Sequence, residues 1–372
     1  MVELEERYGS TDARIKFFLN IKWPEGFECD FCHCHEYYLI KRTTGIKNNY
    51  ILECKDCGHQ FSLLSGTIFD NSNLTLWQLI LAIYLFFVQN KGISAVEMGN
   101  LINTSSKTAG KWIRKFRILM AESNNDHLLE SKFYDLDILE VGGKRPGGKR
   151  GKGADKSPVV IILGTTQDNK YPTFVKLHAL KNHKSVSIKK WMRKHVKWDK
   201  GTVINCDKDT SFNFLKMLVD LHSAKVNYTE KDHKLYWQNV IFGNIENNIK
   251  TIYHGVSKRD FPLFLAEQEW RFNHRFTGKN IMNKIIKYLR KSKPLRNSAV
   301  INVLNLYESK FLKSLSLRVV LFHIYFSVNR YILQKLHIKY IISLYDRELL
   351  SGEIKRLVFN FKQVIMLLSE IA

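Results

Sequence analysis

Two cysteine pairs constrain this chain more than any other feature: Cys29-Asp30-Phe31-Cys32 and Cys54-Lys55-Asp56-Cys57. Each Cys-x-x-Cys is a knuckle that can aim two thiolates at one metal ion. Twenty-one residues separate the pairs, room for a short β-hairpin that closes a tetrahedral four-thiolate Zn2+ site of the structural kind. The stretch YYLIKRTTGIKNNYILEC, leading into the second knuckle, reads as strand, turn, strand, with Gly45 and Asn48-Asn49 as turn residues. His33, Cys34 and His35 crowd the first knuckle as rival ligands, but the two pairs need none of them. A ribbon of this kind seldom does chemistry; it marks proteins that handle nucleic acid.

The charge balance agrees. Across 372 residues there are 58 Lys+Arg against 35 Asp+Glu, a formal net charge of +23. A Lys/Asn/Ile-rich source composition accounts for part of the lysine but not for a surplus of that size. The excess fits a polyanionic partner, DNA or RNA ahead of a membrane surface. The most apolar stretch, 315–333, is interrupted by Arg318, His323 and Arg330, which are costly in lipid, so no membrane span is expected. The acidic start MVELEERYGS is no signal peptide. A reducing nuclear or cytoplasmic (nucleoid) compartment is expected, with thiolates on metal and Cys34 and Cys206 left over.

The length allows two or three domains. One amphipathic helix is expected within 1–25 (Ala13, Ile15, Phe17, Phe18, Ile21), then the ribbon to residue 64. Asn73-Leu74-Thr75 caps an apolar helix over 76–88, which Gly92 ends. Residues 94–102, a turn at Asn103-Thr104, and 106–120 have the spacing of a helix-turn-helix. Its second helix carries Lys107, Thr108, Lys111, Arg114 and Lys115 as DNA-facing candidates; the alternative is a plain helical hairpin with a basic solvent face. The polar run 123–130 reads as a linker. Strands follow at 133–141, 159–166 and 173–178, a helix at 185–196, a strand at 202–207, a helix at 212–221, a strand at 225–228, and helices at 236–252 and 259–276. That is the element order of an RNase H-like α/β domain with a mixed sheet. The expected division is 1–64 for helix and ribbon, 65–122 for the helix-turn-helix region, 131–276 for the α/β domain, and a helical C-terminal extension over 277–372.

Two acids stand where phosphoryl-transfer chemistry wants them. Asp137 lies within the first strand and Asp207 ends the fourth, and those strands are neighbours in an RNase H-like sheet. Converging carboxylates of this sort hold divalent cations. Asp135, Glu140 and Asp209 are nearby rivals. The loop GGKRPGGKRGKG is no P-loop, since no Gly-Lys is followed by Ser or Thr. Lys144, Arg145, Lys149 and Arg150 suit a flexible grip on backbone phosphates; a solvated loop is the alternative. Trp237 and Trp270 read as core.

Several runs in order resemble the ISXO2-like insertion-sequence transposases, relatives of the eukaryotic Merlin elements. They are the W-P-x-G-x-x-C-x-x-C run from Trp23, CKDCGHQFSLLSGTIFDNSNLTLWQLILAIYLF, KGISAVEMGNLINTSSKTAGKWIRKFR, DILEVGGKRPGGKRGKG, TVINCD and YHGVSKRDFPLFLAEQEWRFNHR. The resemblance spans about residues 13–276. It implies a metal-dependent DDE-type recombinase that cleaves and joins double-stranded DNA at transposon ends and target DNA, with Mg2+ or Mn2+, as a homo-oligomer on DNA. It places the first catalytic acid on Asp137 and the second on Asp207. The family's third residue falls on Asn239 by an ungapped count from Tyr253-His254-Gly255, or on Glu246 by a shifted one. The lysine that follows the third residue in the family is missing by the first count, which leaves a second expectation open: a degenerate or domesticated transposase acting as a DNA-binding protein.

Overall fold

The computed structural model describes residues 2–41, 50–89, 91–142, 156–166, 171–180, 184–223 and 235–295. The turn of the ribbon hairpin, most of the basic glycine loop and nearly all of the expected C-terminal extension lie outside these residues.

The N-terminus forms two helices, α1 (Val2–Tyr8) and α2 (Thr11–Lys22), where a single one was expected. Ser10 causes the break: its side chain caps α2 by accepting from the Ala13 N–H at 3.1 Å. α1 folds back so that the Tyr8 ring meets Phe17 edge-on. The ribbon is an antiparallel three-stranded sheet, β1 (Tyr37–Lys41), β2 (Tyr50–Cys54) and β3 (Gln60–Ser62).

α3 (Leu76–Val88) begins at a capping box in which Thr75 and Gln78 satisfy each other's end groups. α4 (Ala95–Leu101) and α5 (Ser106–Asn125) form the expected helix-turn-helix. The turn is tight: Asn103 is left-handed, and a Cβ on Gly99 would stand 2.9 Å from the Thr104 carbonyl. The Gln78 amide holds this turn by donating to the Ile102 and Asn103 carbonyls. The expected linker at 123–130 is no linker. α5 continues to Asn125, and Ser123 and Asn124 are buried, with the Asn124 amide donating to the Ala266 carbonyl.

The α/β domain follows. A two-residue strand β4 (Leu129–Glu130) leads to β5 (Phe133–Gly142), β6 (Lys156–Thr165), β7 (Pro172–Ala179), α6 (Ser185–His195), the two-residue β8 (Val196–Lys197) and β9 (Val203–Cys206). Next is β10 (Asp220–Ser223), then α7 (Tyr236–Thr251), α8 (Phe261–Asn273) and α9 (Ile281–Lys291). The main sheet runs β10-β9-β5-β6-β7, with β5, β6 and β7 antiparallel and β9 and β10 parallel to β5. This is the order expected of an RNase H-like domain.

One expectation in this region is corrected. The helix over 212–221 is a 3-10 turn at Thr210–Leu215, and its end gives way to a strand at Asp220–Ser223. Asp209 caps the turn, Phe212 and Leu215 bury, and the chain then reverses at once to pair with β9. The expected strand over 225–228 lies outside the described residues.

Alternation along β5 sorts the two faces of the sheet. Tyr134 and Leu136 join Val160, Ile162, Trp191, Met192 and Phe212 on the α6 side. Val141, Val159, Ile161 and Val175 join Ile241, Ile245, Phe264 and Leu265 on the α7/α8 side. A separate core collects α2, the ribbon, α3 and α5. α9 belongs to that core: Met282, Ile285 and Leu289 make one buried stripe, and Arg290 reaches the Asn20 carbonyl at 3.1 Å. The start of the expected C-terminal extension therefore helps build the N-terminal half.

Candidate functional site

The two knuckles have the same backbone design. The Cys29 N–H donates to the Cys34 carbonyl and the Cys54 N–H to the His59 carbonyl; the His33 and Gly58 N–H groups donate back to Cys29 and Cys54. Both His33 and Gly58 are left-handed, which aims each pair of sulfurs to one side. All four Sγ atoms lie within 4.8 Å of one another, with Cys29–Cys57 at 3.6 Å and Cys32–Cys54 at 3.4 Å. A tetrahedron with metal–sulfur arms of about 2.3 Å has edges of roughly 3.8 Å, so the donor set fits Zn2+. His33 bonds Glu28, His35 bonds the Phe27 carbonyl and Cys34 meets Glu36, so all three stand outside the cluster.

The second site grows from strand register. Leu136 of β5 pairs in parallel with Cys206, the last residue of β9, and one residue further on each chain stand Asp137 and, just past β9, Asp207. The two are near enough for the Asp207 charge to act on Asp137. Asp137 stands opposite Ile161 across the antiparallel ladder, so its side chain is on the face that α7 covers. It is 6% exposed. Its Oδ1 accepts the Ile138 N–H at 2.7 Å, whereas its buried Oδ2 has no hydrogen-bond partner among the described residues. Burial foremost, with the charges of Asp207 and Asp209 and against the pull of the Ile138 N–H, pushes the Asp137 carboxyl up to about 7. An orphaned carboxylate oxygen beside a second carboxylate fits a divalent cation.

The rival acids have other work. Asp135 accepts the Asn205 amide at 2.9 Å, and Asp209 caps the 3-10 turn through the Ser211 N–H. Glu140 lies farther along β5, on the strand's other face.

On α7, Asn239 is half-buried and Glu246 meets Lys250 at 3.5 Å near the surface. The helix face that packs on the sheet carries Gln238, Ile241 and Ile245 instead. At 100° per residue Asn239 and Glu246 sit roughly 80–100° around from that stripe. Gln238 is fully buried, and both polar atoms of its amide have no partner among the described residues. Sequence reasoning passed it over; the signal was its i, i+3, i+7 spacing with the two isoleucines.

The basic candidates on α5 separate into two groups. Lys107 and Lys111 are exposed. Arg114 pairs with Asp260 at 2.6 Å, and the Lys115 ammonium donates to the Ile68 carbonyl at 2.8 Å over the Trp112 ring. Burial lowers Lys115. Lys144, Arg145, Lys149 and Arg150 lie outside the described residues. Trp270 is core, and Trp237 packs at the edge of the α7/α8 core.

Comparison with known proteins follows the same division. Residues 9–60 match the transposase zinc-ribbon domain and residues 138–273 the ISXO2-like transposase domain. The second match starts one residue after Asp137 and encloses Asp207, Asn239 and Glu246. The chain is 26% identical over 158 residues to an uncharacterized protein in transposable element ISH50 of Halobacterium salinarum, covering 42% of this chain and 50% of that protein. It thus spans about half the length of that curated relative. Among solved structures, a pre-cleavage Mos1 transpososome aligns at 8% identity and TM-score 0.24, over 59% of this chain and 80% of that one. The Mos1 strand transfer complex aligns at 9% identity and TM-score 0.22, over 62% and 78%. Scores that low transfer neither fold detail nor function. In the order its motifs announce, the chain carries a transposase zinc-ribbon domain and an ISXO2-like transposase domain.

Proposed function

We propose that this protein is a metal-dependent DDE-type transposase that cleaves transposon-end DNA and joins it to target DNA. The observation that carries the reading is the Asp137–Asp207 adjacency: one carboxylate on β5, buried with an orphaned oxygen, and a second just past the last paired residue of the neighbouring parallel strand β9, its charge acting on the first. Asp137 and Asp207 would hold Mg2+ or Mn2+. Such an ion supplies Lewis-acid polarisation of the phosphodiester and activation of the attacking hydroxyl. The protein's own part is positional. β5 and β9 fix the two acids, α7 roofs Asp137 against bulk water, and Asn239 or Glu246 supplies the third polar group. Gln238 stands beside that slot as a further candidate. Zinc in the four-cysteine cluster holds the ribbon, and the helix-turn-helix meets duplex DNA through Lys107 and Lys111. The chain acts as a homo-oligomer on DNA, in the nucleus or nucleoid according to host.

Cleavage and strand joining on the element's inverted repeats, in Mg2+ and in Mn2+, tests the reading. Wild type is expected to cleave and join, and Asp137→Ala and Asp207→Ala to lose both while still binding the DNA. Comparing Gln238→Ala, Asn239→Ala and Glu246→Ala identifies the α7 group. A wild type that binds transposon ends but never cuts them supports the second reading, a degenerate transposase kept as a DNA-binding protein. The departure at the third slot is what favours that reading.

A further inference from the structure

The segment between α7 and α8 faces the helix-turn-helix across an open cleft of about 880 Å3. Left-handed His254 and Gly255 turn the chain so that Arg259 and Asp260 line one wall. Lys107, Lys111, Arg114 and Arg117 of α5 line the other. Two guanidinium nitrogens of that wall are buried with no acceptor among the described residues: Arg114 Nε and Arg117 Nη2. Arg117 is itself nine-tenths buried, and its Nε is spent on Glu267. Native folds seldom leave such donors unmatched. Asp260 Oδ1, 2.6 Å from Arg114, is likewise buried without an aligned bond and answers that guanidinium, so the acceptor this wall lacks is the one for Arg117. The rim is cationic as well. Lys107 and Lys111 are exposed, and Arg259 touches Asp260 only loosely, at 3.6 Å. The acids of the cleft are Glu97, at its edge, and Asp260, already committed to Arg114.

We propose that this cleft binds a backbone phosphate of duplex DNA, clamped between the second helix of the helix-turn-helix and the segment after α7. The ligand class follows from the donors, since forked guanidinium nitrogens with lysines at the rim match a phosphodiester's oxygens. The inference rests on the reading that this chain acts on DNA and adds a second point of attachment to it. A phosphate held here touches the DNA-reading helix and the catalytic domain together, fixing how far the bound end lies from Asp137.

The test uses the full-length, zinc-loaded protein. Binding of transposon-end and random-sequence duplexes is followed by fluorescence anisotropy across a salt series, for wild type, Lys107→Ala/Lys111→Ala and Arg259→Ala. All three changes are at exposed positions, and zinc content and circular dichroism check the fold. Each lost phosphate contact is expected to reduce the slope of log K against log salt by about one, equally on both duplexes. An unchanged affinity and slope in Arg259→Ala, with wild type binding normally and Lys107→Ala/Lys111→Ala weakened, overturns the clamp alone; no change in either variant overturns the clamp together with the duplex contact assigned to Lys107 and Lys111. A wild type that binds no duplex overturns the DNA reading and the clamp together. Full displacement of wild-type duplex by millimolar inorganic phosphate, at fixed ionic strength, reassigns the cleft to a free anion and also overturns the clamp.

Discussion

Gly92 shows how much a single residue can carry here. It is left-handed, at φ +90°, and a Cβ would stand 2.1 Å from the Tyr253 hydroxyl and 2.9 Å from Glu267. Gly92→Ala is expected to cost about 2 kcal/mol or more, part from the backbone and part from the clash, read as a drop in denaturant midpoint. Glu267 beside it is fully buried and receives Arg117 at 2.7 Å, Arg271 at 2.7 Å and the Tyr253 hydroxyl at 2.7 Å. Burial pushes its carboxyl up, and the two guanidinium groups more than offset that, holding it below the usual range. Arg271 also donates to the Phe86 and Gln89 carbonyls at the end of α3. Glu267→Ala leaves two buried cations without a counter-charge and is expected to cost roughly 3–5 kcal/mol. His178 and His195 flank the Trp191 ring, and burial lowers them to about 4 and about 3. Both are held neutral in the fold, so their contribution is whole above the unfolded value near 6.5. It is lost as pH falls from there towards 4, by on the order of 3 kcal/mol for each. Urea melts at pH 7 and pH 4.5 check this, and His178→Phe should flatten part of the difference.

Among the elements, the ribbon depends most directly on a bound ion. Its strands are short, and β1 is largely exposed, so the four thiolates must supply what a small apolar core cannot. Chelation, or Cys54→Ser, is expected to abolish one bound zinc per chain and to open amide exchange across 27–62 while the main sheet stays protected. Elements with strong local signals were legible in the sequence. The apolar run and cap of α3 gave its ends residue for residue, and hydrophobic runs gave β5, β6, β7 and β9 of the main sheet. Where tertiary contacts decide, local pattern failed. Ser123 and Asn124 look like linker by composition, yet they are buried and Asn124 bonds α8. The 212–221 run has helical spacing, but pairing with β9 claims its last two residues for a strand. The stripe on α9 is regular, but no sequence pattern says which core it will join.

At the scale of the whole molecule, two metals have separate duties in the proposed function. The four-cysteine cluster fits zinc in the fold of the ribbon, and a harder cation, carried by oxygen ligands, is proposed for the chemistry at β5 and β9. The first site was readable from spacing alone. The expectation of an acidic pair comes from strand order together with family resemblance, because adjacency across β5 and β9 is a non-local fact. For the third group the sequence offers Asn239 or Glu246, and the buried face of α7 adds Gln238 as a candidate that local pattern did not single out. Between ribbon and sheet, the buried Arg117–Glu267–Arg271 cluster ties α3, α5 and α8 together. The central claim is that Asp137 and Asp207 form a cation site distinct from the zinc. Electron paramagnetic resonance titration of Mn2+ into the zinc-loaded protein tests it most directly. The account predicts one saturable Mn2+ per chain in wild type, lost in Asp137→Asn and in Asp207→Asn with the zinc retained. Equal Mn2+ binding by wild type and both variants would contradict it.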